Sequence, residues 1–325
     1  MHSHKLCIAP MMEWTDCHYR YLVRLMTQHT RLYTEMITTG ALVHGDRERF
    51  LQYDQSEHPL ALQLGGSDLI EMAQSAKWGE QAGFDEININ IGCPSDRVQA
   101  GRFGVCLMRE PELVAACVAA MQEHVDIPVT VKCRIGVDDD DSYEFLTQFI
   151  DTVKTAGCDT FILHARKALL KGLNPKQNRE IPELNYQRVY KLKSEHPELN
   201  IIINGGIKSI QEIKTHLRYV DGVMIGRQAY KHPQFLLQVD QEIFNQKMDI
   251  KNSLNDIVIQ YTQYIDGKIQ SGLPLKTMAK HILNLYQGVP GAKHWRRHLS
   301  ENMHKTGVGV ELIHQALEKL NNAYA

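Results

Sequence analysis

Eight short runs of apolar and β-branched residues recur along the first part of this chain, and each is followed by a segment long enough for a helix. This alternation constrains the fold more than any other feature, because a strand followed by a helix is the repeating unit of parallel α/β sheets. The predicted strands are residues 5–9, 31–35, 60–64, 86–91, 129–135, 160–164, 201–204 and 222–225. The clearest helices between them are residues 67–82, 111–124, 142–156, 185–195 and 209–216.

Eight strand–helix units in roughly 235 residues match the usual size of a (β/α)8 TIM barrel, and a doubly wound sheet is the alternative. The chain has 325 residues, so we expect a second domain. A predicted helix ends near residue 244, the polar stretch 246–253 indicates a linker, and helical segments separated by Gly and Pro follow from residue 254. We predict a barrel over residues 1–245 and a small helical bundle over residues 246–325.

The charge balance and the cysteines exclude several classes of protein. Lys and Arg number 36 against 38 Asp and Glu, a net charge of −2, so no overall positive field indicates a nucleic-acid partner. The chain shows neither a signal peptide nor a long apolar span, and its seven cysteines form no Cys-x-x-Cys pair. We therefore expect a cytoplasmic, monomeric protein with no metal site and no membrane association.

Polar residues are predicted to point into the barrel near the carboxyl ends of four neighbouring strands. Period-2 alternation puts Gln63, then Asn88 and Asn90, then Lys132 and then His164 on the inward face. Barrel enzymes build their active sites at this end. One such residue alone would usually be a hydrogen-bonded core residue, but four in register favour a ligand. Lys132 favours it most, because an unpaired buried ammonium costs several kcal/mol.

Glycine turns follow the last two predicted strands. Asn204, Gly205 and Gly206 end the seventh strand, and Gly226 and Arg227 end the eighth. Both turns lead into helix N-termini, which bind phosphate in many barrels, and glycine lets an anion approach the main chain. The chain has neither a G-x-G-x-x-G nor a P-loop motif. The pattern therefore favours a mononucleotide cofactor such as FMN over a dinucleotide.

Cys93 differs from the other cysteines by its position in a Gly-Cys-Pro turn after the fourth strand. The other thiols lie beside strands or in helices, where cysteine usually behaves as a small apolar residue. A thiol with the ordinary pKa of about 8.5 is mostly protonated at neutral pH, so Cys93 is better suited to donate a proton than to attack. Lys132 nearby could lower that pKa, so a thiolate stays open. A loop between glycines, residues 101–104, could close over a substrate.

Several motifs together resemble the bacterial tRNA-dihydrouridine synthases. They are residues 9–12 (APMM), 33–36 (YTEM), 62–66 (LQLGG), 88–97 (NINIGCPSDR), 164–166 (HAR) and 204–207 (NGGI). Residues 172–181 (GLNPKQNREI) and 291–297 (GAKHWRR) resemble the A-type branch of that family. The resemblance covers nearly the whole chain, and the motif at residues 90–95 (NIGCPS) is highly specific.

The resemblance implies an FMN-dependent reductase that converts uridine to dihydrouridine in the tRNA D-loop, at positions 20 and 20a, with NADPH as the electron donor. It implies that Cys93 donates a proton and that Asn90 contacts the substrate. Flavin contacts carry over to Pro10, Met11, Met12, Gln63, Lys132, His164, Asn204, Gly206, Gly226 and Arg227. Two alternatives stay open: another FMN barrel that acts on a small pyrimidine, and an RNA-binding module whose barrel is catalytically silent.

A tRNA partner requires local positive patches, since the net charge is close to zero. Two basic stretches are candidates, one in the loop after the sixth strand and one in the helical domain. Trp295 in the second stretch is either a core residue or a stacking surface for a base. The acidic run 138–141 is expected to cap a helix instead. The candidate tRNA contacts are Arg166, Lys176, Arg179, Lys293, Arg296 and Arg297.

Overall fold

A computed structural model describes residues 4–96, 98, 101–246 and 253–321. Its strands are β1 (Leu6–Ile8), β2 (Leu32–Tyr33), β3 (Ile37–Thr38), β4 (Leu60–Gly65), β5 (Glu86–Ile91), β6 (Val129–Arg134), β7 (Thr160–His164), β8 (Asn200–Asn204) and β9 (Gly222–Ile225). Helices that lie between strands of the barrel are Thr39–His44, Arg47–Leu51, Leu69–Ala82, Pro111–Gln122, Tyr143–Thr155, Tyr186–Glu195 and Ile210–His216.

The parallel sheet closes on itself. Strands follow one another in the order β1, β9, β8, β7, β6, β5, β4, β2, and β3 pairs with β4. The ring is completed where Cys7 forms a parallel bridge with Arg31. There the Ile8 N–H donates to the Arg31 carbonyl at 2.9 Å, and the Arg31 N–H donates to the Leu6 carbonyl at 3.0 Å. An open doubly wound sheet would keep two unpaired edges, so the predicted TIM barrel is confirmed and the alternative is wrong.

The predicted strands agree with the structure where alternation is long and clear. Residues 86–91, 160–164 and 222–225 match their strands at both ends. The predicted strand 31–35 is shorter, and β3 was not predicted, because two residues carry no periodicity. The predicted helix up to residue 244 is a 3-10 segment, Pro233–Gln238, followed by the short helix Val239–Glu242. Residues 247–252 of the predicted linker lie outside the described residues.

The chain's contacts divide it into two compact units, and their boundary differs from the predicted one at 245/246. The first unit comprises the described residues of 1–12 and 30–226, and the second those of 13–29 and 227–325. Within the second unit, Trp14 stacks on Tyr230 with ring centroids 4.4 Å apart. The Thr27 hydroxyl donates to Asp240 at 2.5 Å. These contacts join a segment between two barrel strands to the helical residues, a pairing that sequence patterns do not reveal.

The second unit consists of helices throughout its described residues. The helices are Cys17–Arg24, Arg227–Lys231, Val239–Glu242, Leu254–Gln270, Leu275–Ala279, Ala292–Asn302 and Glu311–Asn321. Trp295 is fully buried, donates from Nε1 to the Ile282 carbonyl at 2.9 Å, and packs its ring against Tyr286. Of the two roles open for Trp295, the structure therefore shows a core residue. Among the described helices, none is long and apolar enough to cross a membrane.

Candidate active site

The polar residues predicted to face inward lie together at the carboxyl ends of β4 to β8. Strand register sets their positions: Asn90 pairs with Lys132 across β5 and β6, and His164 pairs with Asn204 across β7 and β8. Their inward direction follows from alternation with Ile89, Val131 and other fully or nearly fully buried apolar residues. The barrel thus brings side chains from five strands to one end.

Asn90 holds the turn that carries Cys93. The Asn90 Oδ1 atom accepts hydrogen bonds from the backbone N–H of Gly92 at 3.1 Å and of Cys93 at 3.0 Å. Its Nδ2 atom donates to Gln63 Oε1 at 2.8 Å. An amide that accepts two main-chain hydrogen bonds fixes the local backbone, as in an Asx turn. Asn90 therefore has a structural role beside the substrate contact expected of it.

The Cys93 thiol is half-buried at this end, and Sγ lies 3.4 Å from Ser95 Oγ. The loop 101–104 packs against the same turn: the Val105 N–H donates to the Cys93 carbonyl at 3.1 Å. A Cβ on Gly104 would lie 2.7 Å from that carbonyl oxygen. By contrast Cys7, Cys117, Cys133 and Cys158 are buried, and burial raises the pKa of Cys117 to about 11. Only Cys93 of these five combines exposure with the polar end of the barrel.

The same end concentrates positive charge. Lys132 Nζ donates to Asn204 Oδ1 at 3.3 Å, and Asn204 Nδ2 donates to the Met224 carbonyl at 2.7 Å. Burial, with the neighbouring charge of Arg134, lowers the pKa of Lys132 to about 8, against an opposing effect of Cys93. Burial likewise lowers the pKa of Arg134 to about 10. None of the groups that shift these two pKa values is a carboxylate.

His164 is neutral at this end. Burial lowers the pKa of its imidazole well below the usual range, and the charges of Arg134 and Lys132 lower it further. A neutral imidazole can donate from one ring nitrogen and accept at the other, so it can contact a polar ligand edge in either sense.

The backbone conformation and the close packing at residues 205 and 206 both require glycine. Gly205 and Gly206 have positive φ, +122° and +72°. A Cβ on Gly205 would lie 2.8 Å from the His164 ring, and one on Gly206 would lie 2.6 Å from Leu184. Protein side chains therefore pack closely on the side of each glycine where a Cβ would project. Gly226 differs, because its Cβ would meet Ala9 and Met11 only at 3.7 Å, ordinary contact distance.

Arg134 and Asn178 belong to this end of the barrel and were not predicted. Arg134 Nε donates to the Gly92 carbonyl at 3.0 Å, and Nη1 donates to the carbonyls of Lys167 at 3.1 Å and Asn178 at 2.9 Å. Fully buried Asn178 accepts from the Leu169 N–H at 2.7 Å and donates to its carbonyl at 2.8 Å. Arg134 thus ties the Cys93 turn to the loop after β7. Its place two residues after Lys132, on the same strand face, was the available clue.

The acidic run 138–141 does not cap the following helix, so that expectation is wrong. Ser142 is the N-cap and accepts from the Phe145 N–H at 3.0 Å. The aspartates instead pair with cations: Arg109 Nε lies 2.6 Å from Asp140, and Lys167 Nζ lies 2.6 Å from Asp141. Lys167, part of the predicted basic loop, therefore already has an acidic partner.

Residues 7–322 match the family model for dihydrouridine synthase. The chain belongs to the dihydrouridine synthase family. Members of this family are flavin-dependent oxidoreductases that form dihydrouridine, so the chain is an enzyme and the silent-module alternative is wrong.

Relatives named tRNA-dihydrouridine(20/20a) synthase are similar over almost the whole chain. The protein from Vibrio cholerae is 56% identical over 98% of this chain and 97% of its own length. The one from Shewanella oneidensis is 56% identical over 96% of this chain and 93% of its own length. The one from Escherichia coli K12 is 54% identical over 97% of this chain and 91% of its own length.

The remaining residues expected at the flavin site of this dihydrouridine synthase fall in both units. Pro10, Met11 and Met12 follow β1 after Ala9, whose N–H donates to the Ile225 carbonyl at the end of β9 at 2.8 Å. Met12 is 59% exposed. Arg227 begins the later of the two segments that form the second unit. Arg97, the last residue of the segment 88–97, lies outside the described residues.

The candidate tRNA contacts also divide between the units. Arg166, Lys176 and Arg179 lie on the loop after β7, which Asn178 anchors, and Lys176 and Arg179 are exposed. Arg166 donates to the Pro182 carbonyl. In the second unit Lys293, Arg296 and Arg297 are exposed on one helix, and Arg297 pairs with Glu301 at 2.8 Å.

The chemistry of the barrel end fits a flavin. A flavin presents carbonyl oxygens and ring nitrogens, and its mononucleotide form adds a phosphate, so it needs donors and cations. Lys132, Arg134 and the amides of Gln63 and Asn204 supply these, with no carboxylate among the charges acting on Lys132. Within the described residues, no cluster of His, Cys, Asp or Glu could hold a metal ion.

Proposed function

We propose that this dihydrouridine synthase reduces uridine in the D-loop of tRNA, at positions 20 and 20a. The observation that carries the proposal is the Cys93 turn, held by Asn90 beside Lys132 at the open end of the barrel. The names of relatives more than half identical over nearly the whole chain support the same substrate. The exposed basic helix of the second unit also favours a tRNA substrate over a free pyrimidine, because an enzyme for a small molecule needs no such surface.

The proposed cofactor is FMN and the proposed electron donor is NADPH. When bound, the reduced flavin supplies the hydride that adds to C6 of the uracil. Lys132 and His164 would contact the polar edge of the flavin, while the glycine turns would line its phosphate. The full proposed set is Pro10, Met11, Met12, Gln63, Lys132, His164, Asn204, Gly205, Gly206, Gly226 and Arg227.

Cys93 is proposed to deliver the proton that completes the reduction. The uracil C5=C6 bond is conjugated to the C4 carbonyl, so hydride at C6 leaves negative charge at C5. The Cys93 S–H bond then breaks, a C–H bond forms at C5, and the thiolate regains a proton from solvent. Arg134, which donates to the Gly92 carbonyl at 3.0 Å, and Lys132, which pairs with Asn90 across β5 and β6, would place positive charge beside the sulfur as it becomes negative.

Asn90 would orient the uracil. Its hydrogen bonds to the described residues use Oδ1 twice and one Nδ2 hydrogen, which leaves one amide hydrogen for a carbonyl of the base. The target base must leave its stack, at a cost of a few kcal/mol that is smaller in a loop than in a duplex.

The first unit is proposed to catalyse, and the second to hold tRNA. The loop residues Arg166, Lys176 and Arg179 and the helix residues Lys293, Arg296 and Arg297 would contact phosphates. A tRNA substrate supports a cytoplasmic location, and we propose a monomer.

Purified protein, FMN and NADPH are incubated with an unmodified tRNA transcript, and dihydrouridine is measured by nucleoside mass spectrometry. We expect dihydrouridine at positions 20 and 20a and a flavin absorbance that NADPH bleaches. Cys93→Ala should lower the rate of uridine reduction by about a hundredfold or more without changing flavin content. Cys106→Ala, which removes a half-exposed thiol whose Sγ lies 3.0 Å from the Phe103 carbonyl oxygen, is the matched control.

No dihydrouridine from folded, flavin-loaded protein would refute the substrate. Protein that cannot bind FMN would refute the cofactor. Full activity of Cys93→Ala would remove only the role of Cys93 as proton donor.

A further inference from the structure

A directed chain of hydrogen bonds runs from the Cys93 turn into the barrel. The Cys93 N–H donates to Asn90 Oδ1 at 3.0 Å, and Asn90 Nδ2 donates to Gln63 Oε1 at 2.8 Å. Gln63 Nε2 then donates to Asn88 Oδ1 at 2.8 Å. Each amide therefore accepts on the side of the turn and donates away from it.

The chain continues to the opposite end of the barrel interior. Asn88 Nδ2 donates to Thr130 Oγ1 at 2.8 Å, and the Thr130 hydroxyl donates to Glu86 Oε1 at 2.6 Å. Asn88, Thr130 and Glu86 are all fully buried. We call the side chains of Asn90, Gln63, Asn88, Thr130 and Glu86 the amide relay.

The carboxylate of Glu86 sets the direction of the amide relay. An ionised carboxylate only accepts hydrogen bonds, so the single hydroxyl hydrogen of Thr130 must point to it. Thr130 Oγ1 can then only accept from Asn88, which forces the Asn88 amide to face it with Nδ2. Gln63 and Asn90 follow in the same sense. The reverse orientation of the three amides would set Asn88 Oδ1 against Thr130 Oγ1, acceptor against acceptor, and would set the Asn90 NH2 group against the N–H groups of the turn, donor against donor. In a buried site this costs about 1–3 kcal/mol for each unsatisfied group.

The surroundings of Glu86 keep its carboxylate ionised. Burial raises its pKa, but His4 and Arg31 outweigh that effect and hold the pKa below the usual range. His4 Nε2 lies 2.6 Å and Arg31 Nη1 3.1 Å from Glu86 Oε2. The Tyr33 hydroxyl donates to Oε1 at 2.9 Å. Every polar group that faces Glu86 in this set donates to it or carries positive charge.

We infer that Glu86 and Thr130 are positioning residues for the Cys93 turn, acting through the amides of Asn88, Gln63 and Asn90. The functional consequence rests on the proposed role of Cys93. Loss of the Thr130 hydroxyl leaves Asn88 Nδ2 without its acceptor. The three amides then lose their single orientation, and Asn90 Oδ1 is no longer held against the Gly92 and Cys93 N–H groups.

The test compares Thr130→Val, which removes the hydroxyl at constant shape, with Thr130→Ser, which keeps it. The matched control is Thr262→Val, the same change at a buried position of the helix Leu254–Gln270, where the hydroxyl donates to the Val258 carbonyl at 2.7 Å and lies outside the amide relay. Hydrogen exchange measured by mass spectrometry on a peptide that covers residues 91–95 reports the Gly92 and Cys93 amides directly. Steady-state kinetics with tRNA and FMN measure kcat and KM for tRNA.

In Thr130→Val we expect about tenfold faster exchange of these two amides, and a kcat lowered about tenfold with an unchanged KM for tRNA. Thr130→Ser should keep wild-type values of both, and Thr262→Val should resemble wild type. Wild-type exchange in Thr130→Val would overturn the inference, as would equal acceleration in Thr262→Val. If Thr130→Val does not fold, Asn88→Ala removes the next link and is judged by the same exchange. A wild-type enzyme that forms no dihydrouridine would refute the proposed function, while the exchange measurement would still decide on the amide relay.

Discussion

The two ends of the barrel interior both bury charge, but they treat it in opposite ways. At the amino end, the Glu86 carboxylate is matched by Arg31 and His4 and by hydroxyl donors. At the carboxyl end, the charge of Arg134 lowers the pKa of Lys132, and both cations lower the pKa of His164. The amino end is electrostatically complete within the protein, whereas the carboxyl end has an excess of positive charge that an anionic ligand can complete.

This difference indicates which end supports the fold and which supports binding. A buried ion pair with all partners in place is costly to break, because removal of one member leaves the other unpaired. A desolvated cation without a carboxylate costs stability, and such costs are typical of functional sites. The comparison therefore predicts that substitution of Glu86 lowers the free energy of unfolding, whereas substitution of Lys132 leaves it equal or raises it.

The largest effect should come from Glu86→Gln, which leaves Arg31 without its carboxylate. We expect the free energy of unfolding of the flavin-free protein to fall by about 3 kcal/mol, measured by urea denaturation. Because the pKa of Glu86 is lowered in the fold, its contribution is present above the usual carboxylate range and is lost as the pH falls through the lowered pKa. The difference between wild type and variant should therefore shrink in acid. Equal stability at neutral pH would contradict the idea of a completed amino end.

Lys132→Met should show the converse result. We expect FMN binding to weaken roughly tenfold to a hundredfold, because a charged hydrogen bond is worth about 1.5–3 kcal/mol, while the free energy of unfolding of the flavin-free protein stays equal or rises. Fluorescence titration measures the first and urea denaturation the second. Lys167→Met, at a loop lysine paired with Asp141, is the control and should leave FMN binding unchanged. A large fall in the free energy of unfolding of Lys132→Met would mean that both ends support the fold, and it would contradict the comparison.

The pH dependence of FMN binding sharpens the same comparison. The pKa of Lys132 is lowered to about 8, so its ammonium is mostly charged at pH values below this and mostly neutral above it. FMN affinity of wild type should therefore fall as the pH rises through about 8, by up to the factor that Lys132→Met loses. The decline should be absent in Lys132→Met, and its persistence there would assign it to another group.

The smallest effects should come from charge reversal at the exposed basic residues. Arg179→Glu and Arg297→Glu should each weaken tRNA binding several-fold and reduce the slope of log K against log salt by about one. Arg218→Glu, an exposed arginine outside both basic stretches, serves as the control in filter-binding titrations. Equal losses in all three variants would indicate a general charge effect and not a defined tRNA surface.

The sequence predicted the barrel and the polar carboxyl end well because both depend on period-2 alternation. In residues 86–91, three inward polar side chains alternate with isoleucines, and the strand matches its prediction at both ends. Glu86 and Thr130 lie on those same inward faces, so alternation alone predicts that the residues of the amide relay face the barrel interior. Its direction, however, depends on which atoms meet across strands, and that is not a property of one strand's sequence.

Other features depend on contacts between distant segments and could not be predicted. The aspartates before Ser142 have the composition of a helix start, yet their partners are Arg109 and Lys167. The glycines after β8 have the sequence of a phosphate turn, but the close packing of His164 and Leu184 against them depends on segments that are distant in the chain. Trp295 lies among basic residues in the sequence and is nevertheless fully buried.

The order of the chain through the two units has a consequence for synthesis. The helix Cys17–Arg24 and the Thr27 hydroxyl belong to the second unit, and the partner of Thr27 is Asp240. On the ribosome this early segment emerges long before the residues against which it packs. It therefore cannot form its native contacts until most of the barrel has been translated. The second unit therefore cannot be removed by shortening the C-terminus alone, because part of its core is encoded near the start of the chain.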